Sequence, residues 1–353
     1  MHNIDSHKLH LHPRVVADWL DGKSVSPIYL EVSPAGSCNH RCIFCGMRYL
    51  GYKPNFLPTD AFCMAMRSMG AAGVKAIMFA GEGEPLLHKN IIRFAQEARS
   101  ADIDVAFTTN GVLLTPDKAA ALLPVTSWIK ISCNAGTPAG YRSIHAASER
   151  DFEHLVSNVK NAVRIRRDRK SNCSIGLQLL IIKENINEIL PFCRLAASLG
   201  VDYAVLKPYS SNEHINDDAI ENLDLEACKK LKPQWEALER NDFRILFREQ
   251  TLLRIAEKAP PYPHCTALPF WGYVDSTGTL WGCLRHIGDV RFEHGNVLGR
   301  DFADLAHGPA RLQNIQYCER ELDISLCHRG CRMDAINRYL HTLRNPGAHK
   351  NFI

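Results

Sequence analysis

The sequence lacks any apolar run of about 18 residues, the length that a membrane-spanning helix needs. It also lacks a strong charge of either sign, because its formal net charge is only +4 over 353 residues. Segment 1–13 is polar and rich in histidine, without the apolar centre of a secretory signal peptide. We therefore expect a cytoplasmic protein with no membrane or nucleic-acid partner, whose first residues form a solvated lead-in.

Cysteine, by contrast, is plentiful, with 13 residues. Because a reducing compartment disfavours a disulfide framework, some of these thiols are expected to bind metal. Cys38, Cys42 and Cys45 have the spacing C-x3-C-x2-C. Three thiolates this close can hold three irons of a four-iron cube and leave the fourth iron open to another ligand. The alternatives for the triplet are a structural zinc knuckle and a set of buried thiols.

Short β-branched segments alternate with helical patterns between residues 28 and 209. The six predicted strands are 28–32, 74–80, 105–109, 128–132, 174–182 and 203–207. Such alternation predicts an α/β fold of parallel βα units, in which functional residues gather at the carboxyl ends of the strands. A hydrophobic content of 46% is enough for a sizeable core.

The cysteine triplet, with Phe44 before its third member, resembles the signature of the radical S-adenosylmethionine (radical SAM) superfamily. The resemblance implies a partial (β/α)6 TIM-like barrel over 28–210 and a [4Fe-4S] cluster on Cys38, Cys42 and Cys45. It implies that S-adenosylmethionine completes the open iron and yields a 5′-deoxyadenosyl radical, which abstracts hydrogen from a substrate. It also implies an electron donor such as flavodoxin or ferredoxin.

A second motif, Gly-Glu-Gly-Glu-Pro at 81–85, follows the second predicted strand. It resembles the Gly-Gly-Glu-Pro run of the same superfamily. The resemblance implies that Glu84 contacts the amine of S-adenosylmethionine, while Gly83 shapes the loop. Glu82 stands where the family often has glycine, so two carboxylates compete for that role. A plain strand-to-helix turn is the alternative.

Polar residues at the ends of later strands extend the implied cofactor site. Asn110 belongs to a Thr-Asn-Gly turn after the third strand, although its sequence also suits simple turn chemistry. Ser132 and Asn134 alternate around Cys133, which predicts that both face the barrel interior. Gln178 lies on the fifth strand, near the adenine-binding segment that the resemblance implies.

Five further cysteines follow residue 260: Cys265, Cys283, Cys318, Cys327 and Cys331. The first two flank a predicted β-hairpin over 272–282. The group resembles the SPASM/twitch extension of radical SAM enzymes, although Glu321 replaces one expected cysteine. The resemblance implies one auxiliary [4Fe-4S] cluster on Cys265, Cys283, Cys331 and Cys327, with Cys318 as the competing fourth ligand. A structural zinc ribbon is the alternative.

The predicted organisation has five parts. These are an N-terminal lead-in (1–27), the core barrel (28–210), a helical bridge (211–260), the auxiliary-cluster domain (261–332) and a C-terminal helix with its tail (333–353).

Several side chains outside these motifs carry weaker expectations. Cys133 is a candidate hydrogen donor to a substrate radical because it adjoins the implied cofactor residues. Cys63, Cys173, Cys193 and Cys228 are expected to be buried in the core. Segment 141–145 could line the substrate mouth, but we expect it to be a helix start at the surface. Arg332, Asp334 and Arg338 could point into the active site, but we expect them to form a solvated helix face.

The resemblance implies a radical SAM oxidoreductase that dehydrogenates or epimerises a polar small molecule such as a sugar, aminocyclitol or nucleoside. A maturase of ribosomally made peptides is the second hypothesis, disfavoured because only 37 residues precede Cys38. The enzyme that begins molybdopterin synthesis from GTP is disfavoured because its C-terminal Gly-Gly pair is absent. The non-enzymatic alternative is an iron–sulfur or zinc scaffold.

Overall fold

Seven parallel strands form the wall of the main unit in the computed structural model, which describes residues 6–209, 225–328 and 330–351. They are β1 Tyr29–Val32, β2 Ala76–Phe79, β3 Asp104–Thr109, β4 Trp128–Ser132, β5 Ser174–Ile181, β6 Tyr203–Pro208 and β7 Arg244–Phe247. Each pairs in parallel with the next along the chain. The wall is open between β7 and the opposite end of the sheet, as the expected partial barrel requires.

The thirteen α-helices of the described residues mostly follow the strands on the outside of this wall. They are α1 Pro13–Leu20, α2 Thr59–Ala71, α3 Ile91–Ser100, α4 Pro116–Leu122, α5 Pro138–His145, α6 Glu149–Asp168, α7 Ile189–Leu199, α8 Leu225–Lys230, α9 Lys232–Glu236, α10 Glu249–Ala256, α11 Phe302–Ala306, α12 Pro309–Arg320 and α13 Asp334–Arg344. Within the described ranges, none has the length and apolar composition to cross a bilayer.

The two faces of the wall differ in burial. Side chains such as Leu30, Ile129 and Leu206 pack against the helices and are at most 1% exposed. In β4, Lys130 and Ser132 alternate with buried residues such as Ile129, and both are only half-buried. This period-two pattern shows that the inward face borders accessible space, whereas the outward face forms the main core.

Six predicted strands are confirmed. The predicted helical segment 211–260 contains α8, α9 and α10, but it also contains β7, which pairs with β6 and extends the wall. This strand was not predicted because its four residues, Arg244–Phe247, lie among charged residues in a helix-rich segment. Part of that predicted bridge, 211–224, lies outside the described residues.

The C-terminal part continues the same sheet. Strand β8 (Trp271–Val274) pairs in parallel with β1, and the predicted hairpin joins it to β9 (Thr279–Trp281). Strand β10 (Glu293–Asn296) then pairs with β9. The auxiliary segment is therefore hydrogen-bonded directly to the barrel, next to the strand that leads into the cysteine triplet.

Residues 6–13 of the expected solvated lead-in are mostly exposed, but Leu9 is buried. It packs with Val16 and Trp19 of helix α1 in a small core with Phe270 and Leu340. The His7 ring also lies 4.6 Å from the ring of Tyr339 on α13. Its few apolar residues fall on one helical face, which is enough to dock a short helix.

Candidate active site

The cysteine triplet lies on an irregular loop directly after β1. All three thiols are half-buried. Backbone hydrogen bonds tie the loop to the end of α5: Arg41 donates to the His145 carbonyl at 3.1 Å, and Ile43 donates to Ile144 at 3.0 Å. The loop is thus fixed at the carboxyl edge of the wall, where functional groups of such folds gather.

His145 is a contact that the sequence interpretation missed. It is 1% exposed, and its Nδ1 atom lies 3.1 Å from the Cys42 Sγ atom. Its Nε2 atom lies 2.9 Å from the Cys133 carbonyl, so Nε2 carries the proton and Nδ1 accepts from the thiol. Burial, assisted by His40, lowers the pKa of His145 to about 3 and keeps the ring neutral.

The surface assignment of segment 141–145 is therefore wrong. Tyr141, Ile144 and His145 are all buried on α5. Tyr141 and His145 are four residues apart and stack with ring centroids 4.2 Å apart. Their spacing on one helical face was the signal available in the sequence, but a single histidine gave no reason to choose burial.

The chemistry of the triplet suits a metal group. Burial raises the pKa of the Cys38 thiol to about 11 and raises that of Cys42 further. Thiolates therefore form here only when a strong positive charge is bound beside them. The backbone N–H of His40 already lies 3.5 Å from Cys38 Sγ, as donors to cluster-bound sulfur do.

Among the described residues, one set of three potential ligand atoms lies within 4.8 Å of one another: His40, Cys42 and His145. This set places His40, as well as His145, close to the Cys42 thiol.

Glu84 joins the ends of two strands. One carboxylate oxygen accepts from Thr109 Oγ1 at 2.6 Å and from the Leu86 N–H at 3.0 Å. The other accepts from the Asn110 N–H at 2.8 Å. Burial raises the pKa of the Glu84 carboxyl above its ordinary value, while these donors oppose the rise. Asn110 in turn donates from Nδ2 to Asn39 in the cysteine loop at 2.7 Å.

Glu82, the departure from the family pattern, has a different partner. It accepts from Ser276 Oγ at 2.6 Å, and Tyr273 Oη lies 3.4 Å away. Both partners belong to the β8–β9 hairpin. The extra carboxylate therefore docks the auxiliary segment against the loop after β2, and Glu84 is left as the carboxylate beside the cysteine loop.

Gly83 permits the close approach of these two loops. A Cβ atom at this position would lie 2.0 Å from the Ser37 carbonyl oxygen, directly before Cys38. The next residue, Glu84, donates its N–H to the same carbonyl at 2.9 Å. Any larger residue at position 83 would push the cysteine loop away from the wall.

The other predicted cofactor residues divide into two kinds. Ser132 and Gln178 are direct partners in the β4–β5 register, and both are half-buried on the inward face. Asn134 lies beyond the end of β4 with φ of 56°, so the period-two argument does not extend to it. Its Oδ1 atom instead accepts from the Leu180 N–H at 2.8 Å and fixes the loop.

Cys133 is poorly placed to donate hydrogen to a substrate. It is fully buried in the core between wall and helices, and its thiol lies 3.0 Å from the Ala135 carbonyl. This burial disfavours the hydrogen-donor role of Cys133, which stays a prediction. Cys63, Cys173, Cys193 and Cys228 are buried, as expected.

The auxiliary thiols lie within electrostatic reach of one another. Burial, followed by the charges of Cys331 and Cys265, raises the pKa of Cys283. Donors approach two of the sulfurs: the Met333 N–H lies 3.4 Å from Cys331 Sγ, and Asn337 Nδ2 lies 3.6 Å from Cys265 Sγ. Amide donors of this kind stabilise metal-bound thiolates.

Two thiols still compete as the fourth auxiliary ligand. Cys318, on α12, is fully buried, and its pKa is raised by burial and by Cys265, Cys283 and Cys327. Cys327 is half-buried on a short segment before Cys331. Both thiols interact with Cys283, so the choice stays between them.

The solvated face expected after Cys331 holds only in part. Arg332 is exposed, yet it forms an ion pair with Glu31, a β1 residue that is 4% exposed. Asp334 is 4% exposed and accepts from Tyr262 Oη at 2.9 Å and from the half-buried Arg338 at 2.7 Å. Helical periodicity alone cannot distinguish such ion-paired positions from a fully solvated face.

Comparison with known proteins supplies the family. Residues 32–196 match the family model described as the radical SAM superfamily. The barrel is a radical SAM domain. That family uses S-adenosylmethionine and a [4Fe-4S] cluster, and the matched residues make up just under half of this chain.

Named relatives match this chain at low identity. A probable GTP 3′,8-cyclase from Methanocaldococcus jannaschii is 24% identical over 256 residues, covering 69% of this chain and 83% of that protein. A GTP 3′,8-cyclase from Synechococcus is 30% identical over 198 residues. That alignment covers 50% of this chain and only 56% of the relative.

Solved structures share the fold. Streptococcus suis SuiB bound to S-adenosylmethionine has a TM-score of 0.69 and 16% identity, covering 96% of this chain and 79% of that one. Native anSMEcpe with bound AdoMet has a TM-score of 0.58 and 16% identity, covering 83% of this chain and 84% of that one. These likenesses extend beyond the barrel into the C-terminal segment of the chain.

Proposed function

We propose that this enzyme uses S-adenosylmethionine and the cluster at Cys38, Cys42 and Cys45 to oxidise or epimerise a polar small molecule. The observation that carries the proposal is the convergence of three strand ends on one loop. Glu84 after β2, Asn110 after β3 and His145 beyond β4 all bond to the cysteine loop or to each other. Within the described residues, this frame leaves Ser132 and Gln178 on the inward face only half-buried.

The triplet would hold three irons of the cluster, with S-adenosylmethionine on the fourth. When bound, this pair supplies a radical that abstracts hydrogen from carbon. Gly83 keeps the loop after β2 against Ser37, which sets the distance between the cofactor's amine and the Glu84 region. Ser132 and Gln178 present a hydroxyl and an amide together on the inward face, where they would orient the nucleoside portion.

The auxiliary thiols support an oxidative outcome. Cys265, Cys283, Cys331 and either Cys327 or Cys318 would hold a second [4Fe-4S] cluster. When bound there, it supplies an electron acceptor, which suits removal of a second electron from the substrate. Arg332 follows one of these ligands and reaches Glu31 inside the wall, so the auxiliary site and the inward face share a direct polar contact.

The identity of the substrate is framed by two alternatives. The GTP 3′,8-cyclases among the relatives carry a nucleotide in their name, which favours a small polar substrate for this chain as well. SuiB has been solved with its precursor peptide SuiA, so a peptide substrate is the competing hypothesis.

Anaerobic reconstitution tests the proposal. We expect about eight irons per chain for two cubes. Reduction in the presence of S-adenosylmethionine is expected to release 5′-deoxyadenosine and methionine. A fully loaded protein that binds zinc in place of iron, or that never cleaves S-adenosylmethionine, would instead be a metal scaffold.

A further inference from the structure

The inward face of the wall carries lysines that the cofactor site does not use. Strand register places Glu31, Lys130 and Lys207 on the same face, opposite the helix-packed Ile129 and Leu206. Lys207 lies near the carboxyl end of β6, and Lys130 lies two residues before the end of β4. Both therefore belong to the half of the wall where the cysteine loop lies.

Within the part of the chain that the structure describes, neither lysine pairs with another protein group. Both side chains are half-buried. Among the described residues no hydrogen bond or ion pair reaches either amine, although Lys130 Nζ lies 5.8 Å from the Trp128 ring centroid. A buried ammonium normally gains partners that replace its lost water, so two unpaired ammonium groups on one inner face call for a ligand.

Further cations face the same space. Burial, and then repulsion from Arg248, Arg332 and Lys130, lowers the pKa of Lys207 to about 7. Burial, followed by Arg332 and Arg248, likewise lowers the pKa of Lys130 to about 8. Among the described residues, the carboxylate of Glu31 acts on both lysines, and it is already paired with Arg332. His328 lies within reach of Lys207 as well.

This concentration of charge contrasts with the nearly neutral chain. Like charges gathered in a partly dry space destabilise the folded protein unless an anion joins them. A ligand with a single carboxylate would balance only one of these cations. A phosphate group carries about two negative charges at neutral pH and several acceptor oxygens, so it matches the cluster better.

We propose that Lys130 and Lys207, with Arg248 and Arg332 beside them, bind a phosphate or diphosphate group of the substrate. The inference rests on the proposed function, because it assigns the substrate class of that same site. The phosphorylated end would anchor against β4, β6 and the segment after β7. The unphosphorylated part would then extend toward the cysteine loop at the ends of β1 to β4.

Binding of simple anions tests the site without any turnover. Inorganic pyrophosphate is titrated calorimetrically into the iron-loaded protein, with neither S-adenosylmethionine nor reductant present. We expect Lys207→Gln and Lys130→Gln each to weaken binding about tenfold or more. Arg167→Gln, which removes an exposed charge from the outside of α6, is the matched control and is expected to bind like the wild type. Equal affinity in all four proteins, or no binding by the wild type, would overturn the proposal.

Stability separates a binding role from a structural one. Without an anion, Lys207→Gln is expected to raise the melting temperature because it removes buried repulsion, while pyrophosphate stabilises the wild type more than the variant. A variant that melts lower and still binds pyrophosphate normally would show that Lys207 is structural. If succinate bound as tightly as phosphate, the recognised group would be a carboxylate, and the proposal would be refuted.

The pH dependence has a defined sign. Sulfate keeps its charge while the lysines titrate, so it reports their protonation alone. Since the bound anion favours charged lysines, sulfate affinity is expected to be highest below about pH 7 and to fall as pH rises through about 8. A pH-independent affinity would contradict the involvement of Lys130 and Lys207.

The outcomes for this site and for the enzyme assignment are separable. Pyrophosphate binding that persists in a protein unable to cleave S-adenosylmethionine would refute the proposed function and keep the anion site. Cleavage of S-adenosylmethionine by a protein that binds no phosphate would keep the enzyme assignment and remove only the anion site.

Discussion

The two sets of cysteines in this molecule, the triplet and the auxiliary set, are assembled in opposite ways. The triplet occupies one short loop, and its ligand set follows directly from C-x3-C-x2-C spacing. The auxiliary thiols come from a hairpin, from α12 and from the segment before α13, and only the fold brings them together. Local spacing therefore predicts the whole of the first ligand set, whereas the prediction for the second retains two candidates for one place.

The surroundings of the two groups differ as well. The triplet is held by contacts from consecutive barrel strands, including Glu84 and Asn110. The auxiliary group is attached to the same wall through β8, through the Glu82–Ser276 hydrogen bond and through the Arg332–Glu31 pair. Removing one group should thus leave the other intact, while weakening their junction should affect both slightly.

The largest effect is expected from breaking the triplet. Cys42→Ala should remove about four irons per chain and abolish cleavage of S-adenosylmethionine, because two thiolates cannot retain the cube. Iron analysis and 5′-deoxyadenosine release provide the measurement. Cys63→Ala, which removes a buried thiol on α2, is the control and should keep both properties. Cleavage that survives in Cys42→Ala would show that the triplet is not the catalytic cluster.

Breaking the auxiliary group should separate the two tasks. Cys283→Ser is expected to lose about four irons and substrate oxidation, yet still cleave S-adenosylmethionine. The same analysis of Cys318→Ser and Cys327→Ser identifies the fourth ligand, because only the true ligand should lower the iron content. If Cys283→Ser also stopped cleavage altogether, the two groups would not be independent.

A smaller effect is expected from replacing Glu84, the carboxylate beside the cysteine loop. Glu84→Gln replaces a carboxylate by an amide of similar size, so iron content should be kept while affinity for S-adenosylmethionine falls about tenfold. Equilibrium binding to the unreduced protein measures this change. Glu82→Gln is the matched control, since Glu82 faces the hairpin. Equal losses in both variants would argue against a specific role for Glu84.

The smallest effect is expected at the junction of the two regions. Glu82→Gln and Ser276→Ala each remove one partner of the same half-buried hydrogen bond and should cost about 1 to 2 kcal/mol of unfolding free energy. The double variant should cost less than the sum of the two single variants. Chemical denaturation checks this, and full additivity would mean that the bond contributes nothing to docking.

Sequence alone predicted those parts of the fold that depend on local pattern. The six strands from β1 to β6 and the β8–β9 hairpin were found within a few residues, since alternation and turn residues determine them. Strand β7 was missed because its four residues lie among charged residues in a helix-rich segment.

The site was predicted less completely because its contacts are distant in sequence. Glu82 and Ser276 are 194 residues apart, so nothing near either residue indicates their bond. The same holds for His145 beside Cys42 and for Arg332 beside Glu31. Polar residues on short helices looked like solvent-exposed positions, and only tertiary packing shows that they are buried partners.

The central claim is that the triplet holds an iron with a vacancy for S-adenosylmethionine. Its most direct test is electron paramagnetic resonance of the reduced Cys283→Ser variant, which should retain the triplet's cluster alone. Addition of S-adenosylmethionine is predicted to change the spectrum of that single cluster. The claim would be contradicted if the spectrum stayed unchanged at saturating S-adenosylmethionine in a Cys283→Ser preparation that holds about four irons, the content of one cube.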